Sequence, residues 1–117
     1  MTRELSILIV DDEPLIRAFL DDVFQDAGWK VTLASSGDEA AALLDGFDAI
    51  LTDIEMPGEV DGISLAWRAY ERSQNVGIVI MSGRVLPKHA SLPPMARFIA
   101  KPAPQDVLLE LVSELVK

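Results

Sequence analysis

The stretch Ser6-Ile7-Leu8-Ile9-Val10-Asp11-Asp12-Glu13-Pro14 decides how this chain folds. Its apolar run lacks the alternation of a half-buried strand, so Ser6 to Val10 reads as a strand covered on both faces, as in a parallel sheet sandwiched by helices. Acidic residues follow at once. Pro14 then stands where a first helical residue tolerates it, because the N–H it lacks would be unpaired there in any case. Leu15, Ile16, Phe19, Leu20, Val23, Phe24 and Ala27 recur at helical spacing, and Gly28 closes that helix as a C-terminal cap. A buried strand, an acidic turn and an amphipathic helix make one βα unit.

The same unit repeats outward from this stretch. A second strand covers Lys30 to Ala34, and Ser36 with Glu39 forms the capping pattern that opens a helix over Gly37 to Leu44. A third strand, Ala49 to Thr52, runs into Asp53, and Asp61 caps a helix whose apolar positions include Ile63, Ala66, Trp67 and Tyr70. The fourth strand starts at Val76 or Gly77 and ends at Met81, just before Ser82. The fifth covers Arg97 to Ala100, just before Lys101, and a last helix follows Pro104 to about Val116. Between Ser82 and Ala96, Gly83, Pro87, Pro93 and Pro94 leave room for a short helical segment at most, from about Pro87 to Leu92. Strict alternation of the two element types predicts an α/β fold around a parallel sheet, with one domain over residues 1–117.

Composition narrows the function. Half of the 117 residues are hydrophobic (50%), enough for a core without disulfides or structural metal. The chain has no cysteine, which excludes thiol catalysis and cysteine zinc sites and suits a reducing compartment such as the cytoplasm. No apolar stretch is long enough to span a bilayer, so a soluble protein with no membrane association is expected. Ten basic against nineteen acidic residues give a net charge of −9, which repels phosphate backbones and argues against direct nucleic-acid binding.

If the strands are parallel, Asp11-Asp12, Asp53, Ser82 and Lys101 all end on one sheet edge, the edge where ligands of open α/β sheets sit. Each has an ordinary reading alone: the acids cap helices, Ser82 turns the chain before Gly83, and Lys101 is a solvated lysine. Together they ask for more. Carboxylates gathered at one edge disfavour their common ionised state, and an all-oxygen set suits a hydrated Mg²⁺. A carboxylate beside Mg²⁺ can attack a phosphoryl centre, and Lys101 would supply further positive charge. Lys101-Pro102 is also a place where a cis peptide is admissible.

In these residues the chain resembles the receiver domain of bacterial two-component response regulators. The resemblance rests on Asp11-Asp12, the segment Asp53-Ile54-Glu55-Met56-Pro57, Ser82 and Lys101-Pro102, in that order and spacing. It implies a flavodoxin-like, doubly wound sheet of order 2-1-3-4-5 with helices on both faces. It also implies that Asp53 is the phosphoacceptor, with Mg²⁺ held by Asp12, by Asp53, by the Glu55 backbone carbonyl and, through water, by Asp11. Ser82 and Lys101 would sense the phosphoryl group, and Phe98 would be the switch aromatic. A sensor histidine kinase or phosphotransfer protein would donate phosphate, and a downstream protein would read the changed surface. Glu55 and Arg84 occupy positions that tune phosphate lifetime in the family, and these opposite charges are expected to pair over the site.

Two departures from the family pattern stand out. Gly58, Glu59 and Val60 separate Met56-Pro57 from Asp61-Gly62, one residue more than many receivers have, and the proline-rich stretch replaces a fuller fourth helix. The last helix carries an apolar arc of roughly 200° at 100° per residue, more than one buried face needs. Its edge at Leu109 and Val116, with Val112 beside it, is expected to be solvent-reachable and to serve a partner or homodimer. Two other functions fit the same residues less well. An aspartyl-nucleophile phosphatase would want a second aspartate where Glu55 sits, and a receiver-like binding module without phosphorylation would not need every site position kept.

Overall fold

The computed structural model describes residues 4–83 and 91–116. Five parallel strands form one sheet in the order β2-β1-β3-β4-β5: β1 Ser6–Val10, β2 Lys30–Ala34, β3 Ala49–Asp53, β4 Gly77–Ser82 and β5 Arg97–Ala100. Four helices accompany them among the described residues: α1 Pro14–Asp26, α2 Gly37–Ala41, α3 Gly62–Arg72 and α4 Gln105–Leu115. The expected flavodoxin-like arrangement is therefore the observed one, with β3 and β4 each running one residue further than read from the sequence.

Side chains alternate across the strands, so each sheet face has its own core. Ile7, Ile9, Leu51, Val79 and Met81 face α1 and α4, packing on Leu20, Val23, Phe24, Leu108 and Val112. Leu8, Val10, Ile50, Ile78 and Ile80 face α2 and α3, packing on Ala40, Leu65, Ala66 and Ala69, with Ile54, Met56 and Val60 from the loop after β3. The register fixes the edge: Val10 lies opposite Ala34 and Thr52, Asp53 opposite Met81, and Ser82 opposite Ala100. Asp11, Asp53, Ser82 and Lys101 thus come out within one or two residues of a common line.

The local signals act as their chemistry requires. Gly28, at φ +91°, ends α1 in a Schellman arrangement, its N–H donating to the Gln25 carbonyl and the Trp29 N–H to the Phe24 carbonyl. The Phe24 and Trp29 rings, 5.8 Å apart and edge to face, add the apolar contact that accompanies it. At α2 the Ser36 hydroxyl accepts from the Glu39 N–H (3.1 Å), while Glu39 reaches back to the Ser35 N–H (3.1 Å), one residue beyond the usual reciprocal partner. Asp61 caps α3 by accepting from the Ser64 N–H at 2.8 Å. The Lys101–Pro102 peptide is cis.

Three expectations need correction or relocation. Helix α2 stops at Ala41, short of Leu44, because the next bonds tighten to i−3 partners: Ala42 N–H to the Glu39 carbonyl and Leu43 N–H to that of Ala40. Val112 is 1% exposed and forms the middle of the buried α4 face, while Leu109 and Val116 are half-covered by the same core. The helix seats the centre of its apolar arc on the sheet, leaving Leu109 and Val116 partly reachable at one edge and Val107 (43%) more exposed at the other. The short helix expected from Pro87 to Leu92 lies outside the described residues except for its end. There Leu92 is non-helical and the Trp67 Nε1–H donates to the Ser91 carbonyl at 2.8 Å.

Gly62 ties the fold to the site. Its N–H donates to the Ile54 carbonyl at 2.9 Å, and a Cβ added there would overlap the Asp53 carbonyl oxygen and crowd Ile54. Gly62→Ala is therefore expected to destabilise by about 2 to 3 kcal/mol, although alanine favours helices. The midpoint of urea unfolding checks this; an unchanged midpoint would mean that the loop yields freely.

Candidate phosphoacceptor and metal site

The site begins with the turn after β1. Asp11 continues the line of the strand, its N–H donating to the Ala34 carbonyl at 3.2 Å, and its side chain is wholly buried (0%). Both carboxylate oxygens are engaged: Oδ1 accepts from the Glu13 N–H at 2.9 Å, and Oδ2 accepts from Lys101 Nζ at 3.0 Å. The Arg17 guanidinium donates to the Asp11 carbonyl at 2.8 Å, tying α1 back onto the turn. Asp12, the next residue, is exposed.

Asp53 ends β3 with 8% of its surface exposed. The neighbouring Thr52 hydroxyl donates to the Asp53 carbonyl at 2.9 Å, and the Ile54 N–H donates to the Met81 carbonyl at 2.9 Å. Lys101 follows β5, its N–H bonded to the Ser82 carbonyl at 2.8 Å, and its ammonium lies 3.3 Å from Asp53 Oδ1 as well as against Asp11. Ser82 is buried at the end of β4. A cleft open to solvent is lined by Glu13, Ile16, Asp53, Glu55, Ser82 and Lys101.

Oxygens of Asp11, Asp12 and Asp53 all lie within 4.8 Å of one another. Burial, joined by the charges of Asp11 and Asp12, raises the Asp53 pKa above its ordinary 3.8, although Lys101 pulls the other way. Burial also opposes the Lys101 ammonium, but its hydrogen bond to Asp11 and the charges of Asp11 and Asp53 outweigh this and raise its pKa above 10.5. The Lys101 ammonium thus pairs with two of the three clustered aspartates, Asp11 and Asp53. A hard, all-oxygen donor set with one exposed member and an open cleft fits a Mg²⁺ ion that keeps several waters. Asp11, with both oxygens already bonded, is the member best suited to hold it through water.

A pH dependence follows with a definite sign. Because Asp53 binds its proton more tightly in the folded chain, the stability it contributes is fully present below 3.8 and is lost as pH rises through its folded value. Without metal, Asp53→Asn should therefore gain melting temperature over wild type as pH rises from about 3.8, then hold a constant lead. A lead that shrinks with rising pH would contradict the raised pKa.

The structure brings Asp11, Asp12, Asp53, Glu55, Ser82 and Lys101 to one edge. Phe98, opposite Ile80 on β5, is half-buried against the α2 and α3 side of the sheet. Arg84, and so its expected pairing with Glu55, lies outside the described residues. Sequence reading missed Arg17 and Thr52. Arg17 could have been found, since it lies one turn into a helix that starts directly behind the acidic turn; nothing local marks Thr52.

A family model described as the response regulator receiver domain matches residues 7–113. The response regulator receiver protein CpdR of Brucella abortus is 35% identical over 116 residues, covering 95% of this chain and 93% of CpdR. A response regulator receiver protein from Sinorhizobium medicae superposes with a TM-score of 0.91 at 32% identity, over 97% of this chain and 95% of that one. The response regulator TrrA of Thermotoga maritima, solved in complex with Mg(2+)-BeF, superposes with a TM-score of 0.84 at 29% identity, over 95% of this chain and 98% of that one. The chain spans only 17%, 34% and 32% of the length of three further curated relatives. With matching fold, sequence and family model over nearly its whole length, this chain belongs to the receiver domains of two-component response regulators.

Proposed function

We propose that this chain is a signalling switch set by phosphorylation of Asp53. The observation that carries the reading is a nearly buried carboxylate at the end of β3, flanked by two further carboxylates within 4.8 Å and by the Lys101 ammonium at 3.3 Å. An Asp53 oxygen attacks the phosphorus of a phosphohistidine on a sensor kinase or phosphotransfer protein. A P–O bond forms, the P–N bond breaks, and the imidazole leaves with the electron pair and takes up a proton. Hydrolysis reverses the modification: water adds to phosphorus, the P–O bond to Asp53 breaks, and carboxylate and phosphate separate. Mg²⁺, held by Asp12, Asp53, the Glu55 carbonyl and, through water, Asp11, would supply positive charge to the phosphoryl oxygens.

The remaining residues turn modification into a signal. Lys101 already bridges Asp11 and Asp53, so a phosphoryl group on Asp53 gives its ammonium a new partner. The Ser82 hydroxyl, on the neighbouring strand end, donates to a phosphoryl oxygen. Both moves act on β4 and β5, and Phe98, half-buried on β5, would carry the change to the surface that a downstream protein reads. The exposed side chains Leu15 (82%) and Phe19 (49%) on α1, with Ile16 lining the cleft itself, offer apolar surface beside the site for the phosphodonor protein.

Intact mass measurement after incubation with Mg²⁺ and a small phosphodonor tests the reading. One labile phosphoryl adduct, absent when EDTA removes the metal, is the expected result. Steady turnover of diverse phosphoesters would instead make the chain a phosphatase.

A further inference from the structure

The loop from Glu55 to Asp61 holds the extra residue noted in the sequence, and its outer half is locked onto α2. The Val60 N–H donates to Asp38 Oδ1 at 2.9 Å, across 22 residues of sequence, and the Val60 side chain is buried (5%). Gly58 turns the chain at φ +106°, and a Cβ added there would lie 2.8 Å from Asp38 Oδ2. Gly37 completes the fit from the α2 side, since an added Cβ would overlap the Val60 carbonyl oxygen. The other end of the loop is fixed by the bonds from the Ile54 N–H to the Met81 carbonyl and from the Gly62 N–H to the Ile54 carbonyl, each 2.9 Å. Glu55 sits inside this closed span.

We infer that Asp38 is a positioning residue for the Mg²⁺ site, holding the 55–60 loop in the shape that presents the Glu55 carbonyl to the metal. The inference rests on the Mg²⁺ reading of the site given above. Its physical basis is that a glycine turn is conformationally loose on its own, and that the Val60 N–H is part-buried and needs an acceptor to stay so. Asp38 supplies that acceptor from a helix that carries no metal ligand itself. Partners that orient a ligand, without touching metal, commonly control its affinity.

Calorimetric titration of MgCl₂ into the full chain, with urea unfolding in parallel, tests this. Asp38→Ala and Gly58→Ala are expected to weaken Mg²⁺ binding roughly tenfold, the second by disturbing the same latch from the loop side with α2 left intact. Asp38→Asn, which keeps the accepting oxygen and loses the charge, should bind as wild type does. Wild-type affinity in both alanine variants would overturn the inference. So would an Asn variant as weak as the Ala variant, which would assign the effect to charge. A wild-type chain that takes up no Mg²⁺ would instead overturn the metal reading beneath it.

Discussion

Asp53→Asn is expected to take up no phosphoryl group under conditions that modify the wild-type chain fully. The amide that replaces the carboxylate has no anionic oxygen to attack phosphorus, yet it matches the carboxylate in shape, so the fold has no reason to change. The other two clustered aspartates are poorly placed to take over. Asp11 is wholly buried and both its oxygens are bonded, to the Glu13 N–H and to Lys101. Asp12 is exposed but lies outside the reach of an ammonium at hydrogen-bond distance among the contacts described, whereas Asp53 has Lys101 at 3.3 Å. Mass measurement of both proteins after equal exposure to Mg²⁺ and phosphodonor decides the matter. An adduct of one phosphoryl mass on the variant, in comparable yield, would remove Asp53 from the role. The same variant should also melt higher than wild type without metal at neutral pH, because it lifts one charge from a crowded edge.

The strand endings could be read in advance because each strand announces itself locally, as an apolar run bounded by polar residues. Parallel pairing then forces equivalent ends to one edge, and the observed register adds only the exact stagger. Caps were equally visible, since Ser36, Asp61 and Gly28 each act on backbone groups within four residues. The α4 surface was not legible in the same way. Periodicity gives the width of an apolar arc but not which part the sheet covers, and the centre proved to be Leu108 and Val112, leaving Val107 at the more open edge. Bonds between distant segments left no trace either. Nothing near Asp38 marks it as the partner of Val60, because that pairing exists only once β2 and β3 flank β1 and bring their following loops together.

Lys101→Met carries the second large expectation, a loss of about 2 to 4 kcal/mol of folding stability without metal. Its ammonium lies 3.0 Å from Asp11 and 3.3 Å from Asp53, and Asp11 has no exposed surface through which water could replace it. Methionine keeps most of the apolar stem, so the loss would report the missing charge and not a cavity. Two features hold the effect below that of a fully enclosed pair: the Lys101 side chain is 18% exposed, and Asp11 retains the Glu13 N–H. The sign with pH is fixed by the raised Lys101 pKa. The stability from this group is fully present below 10.5 and is lost as pH rises through its folded value, so wild type should approach the variant only in strongly alkaline solution. Urea unfolding of Lys101→Met, alone and combined with Asp11→Asn, measures the effect, and removing both charges should recover much of the loss. A single-variant change within about 0.5 kcal/mol, the range of ordinary surface substitutions, would mean that the ammonium is solvated and not committed to the carboxylates. A committed ammonium would carry a consequence for the proposed switch: phosphorylation at Asp53 would not recruit Lys101 from solvent but would change which oxygens it binds, exchanging partners within a contact that already joins the ends of β1, β3 and β5.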